Sequence, residues 1–300
     1  NAVLESVSGA DQLINRWLVS EKGFQARRLF RQIIENSEKA LSTVHDAIYF
    51  PSQVFRVRFG IDAELQQLDD ALHDRAGDRE ALLAAARACL LLTEFRRCDA
   101  YADAALALDE EDALAIACKG LASGMRGDLD RALEHAATLE RLDSRHPMAM
   151  EARLLALLMQ AAKVGGMSDV SELLRDAQQL FLEPVEVDSG DAMDTVEAHM
   201  LEARANTLFP DAINRREAAI DALRSVLAQL EQGGFELHGL ALEGLRMAQL
   251  IYAHFYLGQL LQAQGDTGGA QLHYEKVIQI DPSSNFGEAA YLSLGDTRQD

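Results

Sequence analysis

Two stretches of the chain carry the same punctuation. Gly120, Gly127-Asp128 and Ala132 are spaced like Gly258, Gly265-Asp266 and Ala270, seven residues and then five. Asp143 follows the first set at the same distance as Asp281 follows the second. Only five prolines occur in 300 residues, and Ala and Leu dominate, so the sequence between these glycines favours helix. A glycine inside a helix costs roughly 1 kcal/mol relative to alanine. Gly258 is therefore expected where two helices cross too closely for a side chain, opposite Ala270. Gly127 and Gly265 are expected to take the left-handed conformation that ends a helix. Asp128 and Asp266 then begin the next helix, either as N-caps or as first-turn acids that complement its dipole. Pro282 stops that second helix, because Asp281 before it is pushed out of the α region.

Stepping back 34 residues from Ala132, Leu139 and Asp143 gives Cys98, Ala105 and Asp109, which are small or matching. In residues 251–284 the pattern reads Leu257-Gly258, Leu261, Gly265, Ala270, Tyr274, Val277 and Pro282. In 113–146 it reads Lys119-Gly120, Ser123, Gly127, Ala132, Ala136, Leu139 and Ser144. In 79–112 it reads Ala85-Ala86, Cys89, Thr93, Cys98, Ala102, Ala105 and Glu110. The period and the motif resemble the tetratricopeptide-repeat (TPR) family. The resemblance covers about a third of the chain clearly, with Leu261 standing where the family has an aromatic residue. It implies an all-α fold, a right-handed α-solenoid of TPR-like helix-turn-helix repeats with an N-terminal helical region.

The remaining sequence fits around these repeats. Residues 76–300 are expected to form the repeat domain, with degenerate or lengthened pairs over 147–250. Helices are expected near 147–163, 168–182, 191–208 and 211–232, separated by "KVGG", "EPVEVDSG" and "QGG". The first helix of the last repeat is expected to start as early as Glu236. Residues 285–297 repeat a Leu-Gly pair at Leu294-Gly295 without a second helix and read as a capping helix. Residues 1–75 read as a mildly basic N-terminal helical region packing on the repeats. It has one or two amphipathic helices over 10–48, a short extended segment "VFRVRF" at 54–59 and a helix over 61–75.

Charge narrows the function. Residues 1–60 carry a net +2 and residues 61–300 a net −22. A body this acidic repels phosphate backbones, so nucleic acid is not an expected partner. The one cationic cluster, Arg27, Arg28 and Arg31, either pairs with the acidic repeats or lies near an anionic membrane surface. No uncharged apolar run is long enough to cross a bilayer. The chain starts at Asn1 rather than Met, which leaves open a removed signal peptide or anchor. The cytoplasm is the expected compartment and the periplasm or cell envelope the alternative. The excess of Arg over Lys points weakly to a bacterial source. Three cysteines, Cys89, Cys98 and Cys118, form no CxxC pair and read as reduced, buried thiols.

A catalytic constellation is not evident. No GxSxG, P-loop, GxGxxG or HExxH occurs. No histidine has Glu three residues before it; Asp70–His73 and Asp143–His146 have that spacing with Asp and read as ordinary helix ends, not metal ligands. His254 and His273 occupy the two helices of one repeat and read as a structural pair facing each other. The acidic "DEED" at 109–112 reads as a solvated turn. No cofactor or metal is expected, and the chain reads as a non-enzyme.

Function then falls to the groove that the resemblance implies. Carried over position by position, its lining is Glu80, Leu83, Ala84, Arg87 and Leu91 in the first clear repeat, then Leu114, Ala117, Cys118, Leu121 and Met125 in the second. The degenerate third gives Met148, Glu151, Ala152, Leu155 and Met159, and the last gives Tyr252, Phe255, Tyr256, Gln259 and Ala263. The Lys and Asn of family members that grip a C-terminal carboxylate are absent here. An apolar, Met-bearing groove suits an amphipathic helix or an extended apolar peptide, and the expected function is a protein-interaction scaffold or adaptor. Two alternatives stand beside it. The groove residues pack against the chain's own N-terminal helices, or the chain is a cell-envelope accessory protein that holds a small molecule or lipid in a helical cavity. Homo-oligomerisation is left open.

Overall fold

The computed structural model describes residues 49–73, 77–163, 192–208, 216–231, 236–237 and 240–297, with a few positions in 172–180. The described chain is helical apart from one short ladder. Its elements are α1 (Gln53–Arg58), α2 (Ile61–His73), α3 (Arg79–Leu91), α4 (Phe95–Leu106), α5 (Ala113–Met125), α6 (Leu129–Arg141) and α7 (Pro147–Lys163). They continue with α8 (Ala192–Leu208), α9 (Arg216–Glu231), α10 (Glu243–Gln264), α11 (Thr267–Ile280) and α12 (Asn285–Thr297). Between α9 and α10, β1 (Glu236–Leu237) pairs antiparallel with β2 (Leu240–Ala241).

Local chemistry sets the boundaries. Asp78, Asp112, Asp128 and Asp266 each accept a hydrogen bond from a first-turn backbone N–H, so all four are true N-caps. Gly127 and Gly265 hold φ of 80° and 90°. Each closes its helix with the paired backbone bonds of a Schellman turn: Asp128 N–H donates to Ser123 O, and Asp266 N–H to Leu261 O. Thr93 stands in the same register and takes φ 59° with the same pair of bonds. Asp281, ahead of Pro282, leaves the helical region at φ −144°, ψ 82° and ends α11.

Packing follows a regular rule. Each of α3, α5, α8 and α10 packs on the helix that follows it, as antiparallel neighbours joined by short turns do. The leading helices also touch one another, α3 with α5, α5 with α7, α7 with α8 and α8 with α10. The last member of that row returns to the first, because α10 also contacts α3 and α2. Two ties hold this closure on the N-terminal side. Gly244 N–H donates to Glu64 Oε1 at 2.8 Å, and Asp281, fully buried, accepts from Tyr49 Oη at 2.8 Å and from Ser52 N at 3.0 Å.

Four expectations are corrected. The nearest side chain to Gly258 is Tyr274 and not Ala270: a Cβ there would meet the Tyr274 ring at 2.7 Å, so the close approach is between helix backbone and an aromatic ring. Residues 54–59 are helix α1 and not an extended segment, because Ser52 caps Phe55 N–H and Phe55 is buried. Residues 236–241 form the β ladder, and α10 starts only at Glu243. "DEED" is not wholly solvated, since Asp112 is 2% exposed, caps α5 and binds Arg79 Nε at 2.5 Å. The expected helices over 10–48, the cluster Arg27, Arg28 and Arg31, and the loop at 183–190 lie outside the described residues.

Candidate functional site

The leading helices α3, α5 and α7 confront α8 and α10 across a partly open cavity of about 640 Å³, a volume that includes space open to solvent. Each of the five contributes to the wall because side chains at i, i+3 and i+4 share a helix face. Of the residues expected in the groove, the cavity gathers Arg87, Leu91, Leu121, Met125, Met148 and Tyr252, together with Glu151. The others lie elsewhere. Leu83, Cys118 and Leu155 are buried in helix packing. Phe255 and Tyr256 sit in an aromatic cluster with Phe286, where Phe255 stacks on Phe286 at 4.1 Å between centroids. Leu114 and Met159 are half-buried. Gln259 is half-buried too, and its amide oxygen has no hydrogen-bond partner. These residues therefore meet the chain's own helices for the most part, rather than an open groove.

The remainder of the wall was not anticipated: Leu90, and Val196, Glu197, Met200 and Gln249 from α8 and α10. One signal was visible. Arg87 is the single charge within the apolar run 81–92, and an arginine buried at that position requires an acidic partner. The structure supplies it in Glu197, which accepts two bonds from Arg87, Nε to Oε1 at 2.9 Å and Nη2 to Oε2 at 2.8 Å. This planar two-point pair spans the cavity's sides.

Gln249 is 4% exposed, and its amide oxygen is buried with no hydrogen-bond partner. Tyr252 Oη accepts from Tyr49 N–H at 2.9 Å, so this wall is held by the segment that precedes α1. Glu151 adds a carboxylate from α7. The apolar side is formed by leucines and three methionines, Met125, Met148 and Met200, whose flexible side chains adapt to irregular shapes.

Other chemically suggestive residues are structural. A hydrogen bond with the neighbouring Cys98, and then burial, push the Cys118 thiol well above its usual range, the opposite of a reactive cysteine. Burial likewise raises Cys89. His254 and His273 do face each other, Nδ1 to Nδ1 at 2.9 Å. Burial, His273 and Lys276 together push His254 down to about 3, so it is neutral and shares one hydrogen bond with its neighbour. Among the described residues no group of three His, Cys, Asp or Glu is placed to hold a metal, and no helix is long and apolar enough to cross a membrane. Compared with known proteins, the chain matches no family model, and no curated protein or solved structure shows significant similarity to it.

Proposed function

We propose that this chain is a non-catalytic binding protein of TPR-like type, a right-handed repeat stack that takes its ligand in the cavity enclosed by its leading helices. The observation that carries this reading is that cavity. Its wall is mostly apolar with a few converging polar groups, the make-up of small-molecule sites. A partly open site bounded by five helices suits a small molecule or a short side-chain segment of a partner protein rather than a long helix laid along a groove. The sequence carries no catalytic motif, which is why binding rather than chemistry is assigned.

A fluorescence titration with a neutral apolar dye such as Nile red tests it. Saturable one-to-one binding is expected, weakened at least tenfold by Met125→Trp, which fills the cavity, with unchanged circular dichroism. Absence of saturable binding sinks the reading.

A second reading, docking of a partner protein, is favoured by α12. That helix packs on α11 and α10 but leaves Tyr291 54% and Leu292 74% exposed, and among the described residues none comes within 4 Å of where a Cβ on Gly295 would lie. In a repeat array this is the side on which a further helix would pack. Sedimentation velocity of the chain and of Leu292→Glu tests self-association through this face; identical monomeric profiles remove a second copy as the partner.

A further inference from the structure

We infer that the cavity selects an uncharged ligand with an aliphatic body and a hydrogen-bond donor, an O–H or an N–H, that reaches Gln249; this rests on the cavity-binding reading above. The charges of the wall decide against an ionic head. Arg87 is bound to Glu197 through two hydrogen bonds, at 2.9 and 2.8 Å, and Glu151 has a partner as well. Every charged side chain of the wall therefore has a partner within the protein. A cation or an anion entering this mostly apolar site gives up water and meets no uncommitted counter-charge, and burying a charge on those terms is expensive.

The amide of Gln249 supplies the polar contact. Gln249 lines the cavity from α10 and is 4% exposed, and its Oε1 is buried with no hydrogen-bond partner. A buried acceptor left unsatisfied is costly, and only a donor removes that cost. The last torsion of a glutamine side chain is broad and soft, so rotation of the amide turns the oxygen towards the cavity without moving the helix. An alcohol or an amide brings the hydrogen and no charge, whereas an ether has an acceptor alone and leaves the cost in place. The body of the ligand meets Leu91, Leu121, Met125 and Met148, a surface that accepts a flexible methylene chain.

Calorimetric titration of the whole chain at pH 7 compares 1-octanol, heptyl methyl ether, octylammonium and octanoate. The ether is an isomer of the alcohol without the donor. Salt at about 0.15 M screens the field of the net charge beyond about 8 Å, so that the ions report on the cavity itself. Octanol should bind roughly fivefold more tightly than the ether, and both ions more weakly than octanol. Gln249→Met, close to isosteric, should bring octanol and ether within about twofold of each other. Ether affinity should stay unchanged in that variant, which shows that the cavity is intact; Gln249→Leu repeats the measurement should the first variant not fold. Equal binding of octanol and ether to the wild type, or a preference for octanol that survives both variants, overturns the donor inference. Tighter binding of either ion overturns the uncharged head. In each of these cases, loss of binding in Met125→Trp leaves the cavity reading standing, and no binding in any arm overturns both. Acetyl-Leu-Leu-amide in a fifth arm separates the sources of this chemistry. Tighter binding than octanol assigns it to an apolar segment of a partner chain, and weaker binding to a free aliphatic alcohol or amide.

Discussion

Thr93 holds a backbone conformation that β-branched residues avoid. Its φ of 59° places it where Gly127 and Gly265 stand in the other repeats, and it closes α3 with the same bonds. A left-handed non-glycine residue costs roughly 1–2 kcal/mol. Thr93→Gly should therefore stabilise the chain by about 1 kcal/mol once the greater freedom of glycine in the unfolded state is subtracted. The urea midpoint checks it, and an unchanged or lower midpoint contradicts the assignment. The conformation at Thr93 was legible from register alone. The contact at Gly258 was not: spacing indicates that two helices approach there, but Tyr274, one turn beyond Ala270, is what fills the space. A pattern of small residues reports closeness without reporting which side chain benefits.

His254 gives a pH dependence at the same scale. Its folded pKa, about 3, lies below the ordinary value near 6.5, chiefly through burial and then through His273 and Lys276; Glu231 stands 4.0 Å from its other nitrogen. His273 is lowered as well. For a group whose charged form is disfavoured by folding, the contribution is intact above pH 6.5 and is lost as pH falls from there towards 3. Wild-type stability should drop between pH 7 and 4 more steeply than that of the double variant His254→Gln, His273→Gln. Parallel denaturation curves over that range would show that the pair is not responsible.

At the scale of elements, local signals placed most helices well. Residues 285–297 were expected as a capping helix and are α12. Residues 147–163 were expected as a helix and are α7. The misreadings came where a tertiary partner overrides an alternating pattern. "VFRVRF" alternates like a strand, yet Phe55 is drawn into the cluster with Tyr49, 5.8 Å away and edge-on, and the segment coils as α1. The anchor of that segment is Asp281. Its carboxylate takes hydrogen bonds from Tyr49 Oη, Ser52 N–H and Ser52 Oγ. Asp281→Ala leaves these donors buried without an acceptor and should cost about 2–3 kcal/mol. Hydrogen exchange localises the effect: amides of residues 50–58 should lose protection first, whereas uniform loss across the chain would mean that Asp281 serves only to end α11.

For the molecule as a whole, the deciding contacts join distant parts of the chain. Arg87 and Glu197 are 110 residues apart, and removing only one of them takes away the other's two-point partner. Arg87→Met should cost roughly 3 kcal/mol, whereas Arg87→Met with Glu197→Met should fall within about 1 kcal/mol of wild type, since a well-packed apolar pair commonly replaces a buried ion pair. A double-mutant cycle by urea denaturation measures this; strictly additive losses would indicate that the two residues do not act as a pair.

The sequence by itself determined the helical class and where the helices of the clear repeats begin and end. Those features are local: aspartate caps, left-handed turns, a proline stop and an apolar stripe act within about one helical turn. Tertiary structure alone decided that the row of leading helices returns on itself, with Tyr49 reaching Asp281 across 232 residues. How successive helices are oriented is the sum of many side-chain contacts between them, and no single residue encodes that sum. The seven groove residues that line the cavity were therefore identifiable one by one, while Val196, Glu197, Met200 and Gln249, which meet them from α8 and α10, were not.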